Sequence, residues 1–305
     1  MAKDKSSNNK KEKKAKQATP PSGFRIIWRE IMHEPSARVA LVVIIAILLF
    51  CFVGSLFLNK ADITATDIMA ANDPWGTPGH ILGADDGGRD IFKLLIMGGR
   101  NSITIGISVT LISLVIGLIV GMFAGYFGGV IDNIVMRIVD FIQIMPQFPI
   151  LIVLASVIPN YNAVTLVMMM TLFGWTGEAR YYRSFVLAQR ERDYVLASKT
   201  SGSTDLQIMF REVLPNISSM LIIDIVLMVA GNIGIETGLS FIGYGLPTTT
   251  PSLGTLIGYA NDPVNVTTRP WLWLPAALLL LVISLSINYV GRALQKAADA
   301  RQREA

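Results

Sequence analysis

Apolar residues in this chain gather into long runs separated by shorter polar stretches, and the length of the runs sets the fold class. Val39 to Leu58, Ser102 to Ala124, Ile131 to Ile158 and Trp271 to Val290 are each long enough to cross a bilayer as a helix, because about 20 apolar residues give roughly 30 Å of helix. Ala163 to about Trp175 and Ile217 to roughly Leu239 complete a set of six expected spans. The expected fold is all-α, a polytopic membrane protein. In the second span Gly117, Gly121, Gly125 and Gly129 recur every four residues, a small-residue stripe that lets another helix of the same chain approach closely. Pro146 and Pro149 lie inside the third span. Each removes a helix hydrogen bond, so the span is expected to kink, as a pore lining or as a purely structural bend. The fifth span carries Asp224, Asn232 and Glu236. Asn232 and Glu236 are four apart and share a face, and polar groups at this depth usually face protein or water. For Glu236 the alternative is a capped helix end at the outer interface.

Between the fourth and fifth spans the pattern changes. Trp175 to Asn216 is an island of charge holding six of the 26 basic residues, Arg180, Arg183, Arg190, Arg192, Lys199 and Arg211. Tyr194, Leu196, Ala197 and Thr200 predict a helix ending at Ser201-Gly202, where glycine can take φ > 0. Thr204 with Gln207 three residues on, and Asp205 in the first turn, predicts a capping-box start to a second helix. Leu214-Pro215 is expected to end it, because proline disfavours helical geometry at the residue before it. The island is a helical hairpin that does not belong in lipid.

Two further polar regions stand out. Residues 59–100 carry Asp62, Asp67, Asp73, Asp85, Asp86 and Asp90 against Lys60, Arg89, Lys93 and Arg100. The Asp85/Asp86/Asp90 spacing is not that of an EF-hand loop, and Asp–Arg pairing and helix capping account for it better. Residues 243–270 are rich in Gly, Pro, Thr and Asn, with an apolar piece at Leu253 to Ala260 too short to span, which predicts a re-entrant or surface-lying segment. Trp271 and Trp273 mark the interface where the last span begins.

Composition agrees with a membrane protein: 52% of residues are hydrophobic and only 16% charged, where a soluble chain would have about a quarter charged. Mean hydropathy is +0.51. Residues 1–22 are Lys-, Ser- and Asn-rich and are expected to be a disordered tail, without a signal-peptide cleavage site. With six spans and both ends inside, inner segments hold 21 basic residues and outer segments 5, which places the hairpin in the cytoplasm. The net charge of +4 comes without a nucleic-acid-binding motif. Cys51 is the single cysteine and rules out an intrachain disulfide.

The hairpin also carries a resemblance. Bacterial ABC-importer permeases have a loop pattern of Glu-Ala-Ala, three residues, Gly, nine residues, Ile, one residue, Leu-Pro. Here it falls on Leu196-Ala197-Ser198, Gly202, Glu212 and Leu214-Pro215. Ala197, Gly202, Leu214 and Pro215 match; Leu196, Ser198 and Glu212 depart. Ala179-Arg180, Arg183, Tyr194-Val195, Leu82-Gly83-Ala84-Asp85 with Gly88-Arg89-Asp90, and Glu236 followed by Leu239-Ser240-Phe241-Ile242-Gly243 resemble the oligopeptide and dipeptide (C-type) branch. The resemblance implies the type I ABC importer permease fold, with a tail and juxtamembrane segment over 1–37, a first span and external segment over 38–100, a core permease over 101–291 with its coupling loop at about 178–216, and a cytoplasmic tail over 292–305. It implies that Arg190, Asp193, Tyr194, Ala197, Ser198, Thr200, Gly202, Ser203, Leu214 and Pro215 contact an ATPase, and that Pro146, Pro149, Asp224, Asn232 and Glu236 are pathway candidates. The implied partners are a second, similar permease, two ATP-binding subunits, an external solute-binding protein and the bilayer, with no nucleic acid. Peptide is the implied solute, nickel or another small solute the alternative within the family.

No catalytic constellation accompanies these features. There is no GxxxxGK[ST] nucleotide loop, and His33 and His80 are isolated, without metal-ligand spacing. ATP and Mg are therefore expected on a partner, with no cofactor or metal on this chain. A self-sufficient secondary transporter would show internal repeats and paired broken helices, and none is evident.

Overall fold

The computed structural model describes residue 32 and residues 34–59, 63, 65–159, 161–247 and 249–304. The basic tail, Lys60 and Asp62 lie outside the described residues. Among the described residues no strand forms, only two isolated bridges, Thr77–His80 and Ala84–Asp90. Helix α1 is Pro35–Leu48, continued to Phe57 by a wide turn and a tight one. It starts earlier than the apolar run because Pro35 sits at the first helical position, where its missing N–H costs nothing. Helix α2, Ile91–Phe127, is capped by Asp90, whose carboxylate accepts from Phe92 N–H at 2.8 Å. At 37 residues it is roughly 55 Å long. Its first turns exceed the predicted span because Ile91, Leu94, Leu95 and Ile96 are buried.

The predicted third span is two helices. α3, Gly129–Ile144, and α4, Gln147–Val157, meet at a bend of 76°. Pro146 is the residue before α4 and Pro149 lies in its first turn, positions that need no intrahelical donor. The prolines therefore restart a helix instead of kinking one. Helix α5, Ala163–Arg190, carries the fourth span well beyond Trp175. Helix α6 is Asp193–Thr200, and α7 runs from Asp205 to Phe241 without interruption. After it come the short helices α8, Leu253–Ile257, and α9, Pro263–Thr268, and the last long helix α10, Leu274–Glu304. Among the described residues, four helices are long and apolar enough to cross a membrane, or five with α3 and α4 taken as one span. α5 is long enough, but Glu178, Arg180 and Arg183 make it less apolar than the other four.

The two ends of the bundle differ. α2, α5 and α10 finish, and α1, α3 and α7 begin, at the end that carries α6; a 2.6 Å Lys296–Glu34 ion pair joins α10 to α1 there. At the other end the segments over 65–90 and 242–273 fold onto one another, with Trp271 Nε1 donating to the Ala84 carbonyl at 3.3 Å.

α2 and α5 lie side by side and parallel along the glycine stripe. A methyl placed on Gly121 would sit 2.5 Å from the Ala179 carbonyl oxygen, and one on Gly117 2.3 Å from Glu178 Cβ. Gly117, Gly121 and Gly125 pack within the chain, as their spacing predicts, whereas Gly129 begins α3 and a methyl there would meet nothing within 4 Å. Gly121→Ala should therefore lower the stability of the solubilised protein by about 1–3 kcal/mol through overpacking. Gly177→Ala is the control in the same helix pair: its added methyl meets nothing within 4 Å, so the change should be neutral or stabilise by up to about 1 kcal/mol. Thermal melts in detergent compare the two, and equal behaviour would refute backbone contact between α2 and α5.

Candidate functional site: the hairpin and the interior of its rods

The hairpin is built from the ends of two long helices and one short one between them. α5 stops at Arg190, the chain turns at Glu191-Arg192, and α6 follows with Asp193 in its first turn. The predicted reversal at Gly202 is present, with φ at +87°. Ser198 Oγ donates to Ser203 Oγ across the turn at 3.1 Å, and Thr200 and Ser201 hydroxyls both bond the Ala197 carbonyl. The predicted capping box is also there. Thr204 N–H donates to Gln207 Oε1 at 3.0 Å and Gln207 N–H to Thr204 Oγ1 at 3.4 Å.

The expected helix end at Leu214-Pro215 is absent, and this corrects the local reading. Met209–Val213 forms a π turn immediately before the proline, and the helix continues into the span. A proline clashes with the carbonyl four residues back and brings no N–H; a π turn widens the helix at that point and accommodates both. Asn216 Nδ2 also bonds the Glu212 carbonyl at 2.7 Å. The second arm of the hairpin is therefore the first part of a 37-residue rod.

One face of the hairpin is anchored and the other is open. Val195, Ile208, Met209, Val213 and Ile217 are buried with Met122 of α2 and Val186 of α5. Tyr126, at the end of α2, donates to Asp205 Oδ1 at 2.8 Å, and Tyr194 donates to Gln189 Oε1 at 2.8 Å. Arg190 reaches the Gly125 carbonyl at 3.4 Å. On the outer face Leu196, Leu206 and Phe210 are each more than half exposed, beside exposed Ala197, Thr200, Gly202 and Pro215. Tyr126 has no sequence signal, since it lies just past the second span, at the end of α2, and meets the hairpin only in three dimensions.

Arg180 and Arg183, which the sequence places in the charged island, lie on α5 and pair with Asp140 and Asp132 of α3. Tyr182 on the same helix donates to Asp224 of α7. Asn232 is buried and donates to Thr110 Oγ1 of α2 at 2.9 Å. Glu236 is 0% exposed and faces no open surface of this chain. Ser240 Oγ donates to its Oε1 at 2.7 Å and Thr237 Oγ1 to its Oε2 at 3.4 Å, and the hydroxyls of Ser102 and Ser252 lie beside it. Those serines also accept backbone N–H groups: Ser240 from Leu246, Ser102 from Leu253, Ser252 from Thr255. One carboxylate thus joins α2, α7 and α8. Pro146 and Pro149 are exposed at the α3–α4 break. Of the five pathway candidates, the two prolines are thus exposed in the single chain, Asp224 is half-buried, and Asn232 and Glu236 are buried. At the other end, Asp85 pairs with Arg89 at 2.7 Å and Asp90 caps α2, as expected over a calcium site. No group of three potential metal ligands occurs among the described residues.

Residues 117–304 match the family of binding-protein-dependent transport system inner membrane components. The chain belongs to this family. Among similar proteins, the oligopeptide transport system permease protein OppC of Lactococcus lactis subsp. cremoris is 43% identical over 276 residues, covering 90% of this chain and 94% of the relative. OppC of Bacillus subtilis is 33% identical over 284 residues, covering 91% of each. The fold of this transport component is shared with an inward-facing conformation of the MetNI methionine ABC transporter, at a TM-score of 0.52 and 22% identity, over 67% of this chain and 96% of that one.

The anchoring of the hairpin makes a quantitative prediction. In a cycle of Tyr126→Phe, Asp205→Asn and the double variant, the coupling energy should be about 1 kcal/mol in thermal or denaturant stability. A coupling indistinguishable from zero would show that α2 and α7 are not joined through this bond.

Proposed function

We propose that this chain is the transmembrane subunit of an ATP-driven peptide importer, supplying half of the translocation pathway and coupling it to a separate ATPase. The observation that carries this reading is the hairpin: its outer face is open, its inner face is anchored, and its second arm continues directly into α7. A partner pressing on Leu196, Ala197, Gly202 and Phe210 moves a helix that reaches the far end of the bundle. The peptide as solute is supported by the oligopeptide permeases that match nearly the whole chain. Partners in this reading are a second, similar permease, two ATP-binding subunits that carry ATP and Mg, and an external solute-binding protein. The chain itself binds no cofactor and performs no hydrolysis.

Orientation follows from the basic residues. The start of α1 and the end of α10 share the hairpin end of the bundle, and the six basic residues of the hairpin island favour the cytoplasm for that end by the positive-inside rule. Single cysteines at the exposed positions Ser201 and Thr249, in a Cys51→Ser background, provide the check. An impermeant thiol reagent on intact cells should label Thr249→Cys and leave Ser201→Cys unlabelled; equal labelling would overturn the orientation.

The coupling role is tested at Gly202. An added side chain there meets no atom within 4 Å, but its positive φ costs an L-residue roughly 1–2 kcal/mol. Gly202→Val should keep membrane abundance and lose uptake at least about tenfold, with ATPase association weakened or hydrolysis uncoupled from transport. Gly79→Val at the opposite end is the matched control, with φ at +95° and equally open space. Gly128 is no such control, because a side chain there would collide with Arg190. Normal uptake in Gly202→Val, or the same association defect in Gly79→Val, would remove the hairpin from the coupling role.

A further inference from the structure

At the end opposite the hairpin lies a cavity of about 760 Å³, bounded by the turn after α7, by α8 and the short turn following it, by the start of α2 and by the end of α4. This is within the roughly 300–1,000 Å³ of clefts that take small ligands. Its charged lining residues are Asp86 and Arg89, and its aromatic ones include Tyr161, Tyr244 and Tyr259. Arg89 is already neutralised. Its Nε lies 2.7 Å from Oδ2 of Asp85, a carboxylate with 0% exposure. Tyr259 donates to the same Oδ2 at 3.0 Å and accepts from Arg89 at 3.3 Å. Burial, and then the Asp85 carboxylate, push the Tyr259 phenol up, so it stays neutral and remains a donor.

This leaves Asp86. It is exposed, it lines the cavity, and it has no ion-pair partner among the described residues. Among the described residues the cavity therefore carries one unpaired negative charge beside phenol rings, whose faces also attract cations. Its wall is fixed in advance, because Ser240, another lining residue, is held by the buried Glu236. An ammonium group suits such a site: compact, strongly hydrated outside, and stabilised by a charge-assisted hydrogen bond within it.

We propose that this cavity is a subsite for the free α-ammonium group of a peptide, with Asp86 as its counter-charge and the tyrosines around it as its walls. The subsite rests on the peptide-importer reading and deepens it. It binds the amino end of the solute at the mouth of the chain, on the side where a solute-binding protein releases it. Arg89, paired with the buried Asp85, holds the wall.

The test uses the purified full transporter in nanodiscs without its solute-binding protein. Two tripeptide probes of one sequence, one with a free amine and one N-acetylated, carry the same fluorophore on a C-terminal lysine. The unmodified transporter should bind the free-amine probe at least about tenfold more tightly than the acetylated one. Asp86→Asn should bring that ratio near one by weakening only the free-amine probe, and Asp86→Glu should restore most of it. A ratio unchanged in Asp86→Asn, while the unmodified transporter still imports peptides with all its subunits, overturns the subsite alone. If the complete unmodified transporter imports no peptide, the peptide-importer reading falls and the subsite with it. Import with no difference in binding between the two probes on the unmodified protein also overturns the subsite.

Discussion

Helices α2 and α5 touch backbone to backbone, and much of the structure depends on that contact. Gly117, Gly121 and Gly125 leave no side chain between the two helices, so their paths are fixed over several turns. In lipid no hydrophobic force drives helices together; close packing and polar contacts do so instead. The consequence appears at the hairpin end. The last turn of α2 presents the Gly125 carbonyl to Arg190 and the Tyr126 phenol to Asp205, one contact for each neighbouring rod. A side chain in the stripe would move both anchor points together.

The second constraint is the continuity of α7. A helix that ended at Pro215 would leave a joint between hairpin and span, and a joint absorbs motion. The π turn at Met209–Val213 removes the joint by taking up the proline within the helix. The other end of the rod is equally fixed, because Glu236 gathers hydroxyls from α2, α7 and the start of α8. A buried carboxyl group is costly unless its oxygens find partners, and here four hydroxyls surround it, those of Ser240 and Thr237 within hydrogen-bond distance. Three of these hydroxyls in turn order backbone N–H groups of the loop segments. A displacement at the hairpin thus has a stiff route to the elements around the far cavity.

The existence of the helices was legible from run length, and the hairpin turn from Gly202, Thr204 and Gln207, because these are local signals. Two boundaries were not legible. Leu214-Pro215 obeys a local rule about proline that a π turn overrides, and no residue pattern announces the π turn. The fourth span outlasts Trp175 because Arg180 and Arg183 meet Asp140 and Asp132 across separations of 40 and 51 residues. Read along the chain these residues are isolated charges, which argue against helix in a membrane; paired between α3 and α5, they are compatible with it. Glu236 presented the same difficulty. Its spacing from Asn232 identified a shared face but not its hydroxyl partners, two of which lie on other elements.

The break between α3 and α4 limits what can lie beside the chain. In an unbroken helix each backbone N–H finds the carbonyl four residues back, and hydrocarbon needs to offer nothing. At Met145-Pro146 the ladder stops, with Met145 N–H bonding the Ile142 carbonyl and Ile150 N–H that of Pro146. Carbonyls released at such a break cost several kcal/mol each in lipid, so a bend of this size persists only against protein or water. Ile134, Ile138 and Phe141 of α3 and Val153 and Val157 of α4 are largely uncovered in the single chain, yet the exposed prolines between them lie where lipid is least tolerable. An apolar surface interrupted by freed backbone is poorly suited to acyl chains and well suited to another protein surface beside a water-filled path. The break therefore marks a face of the chain that needs protein or water beside it.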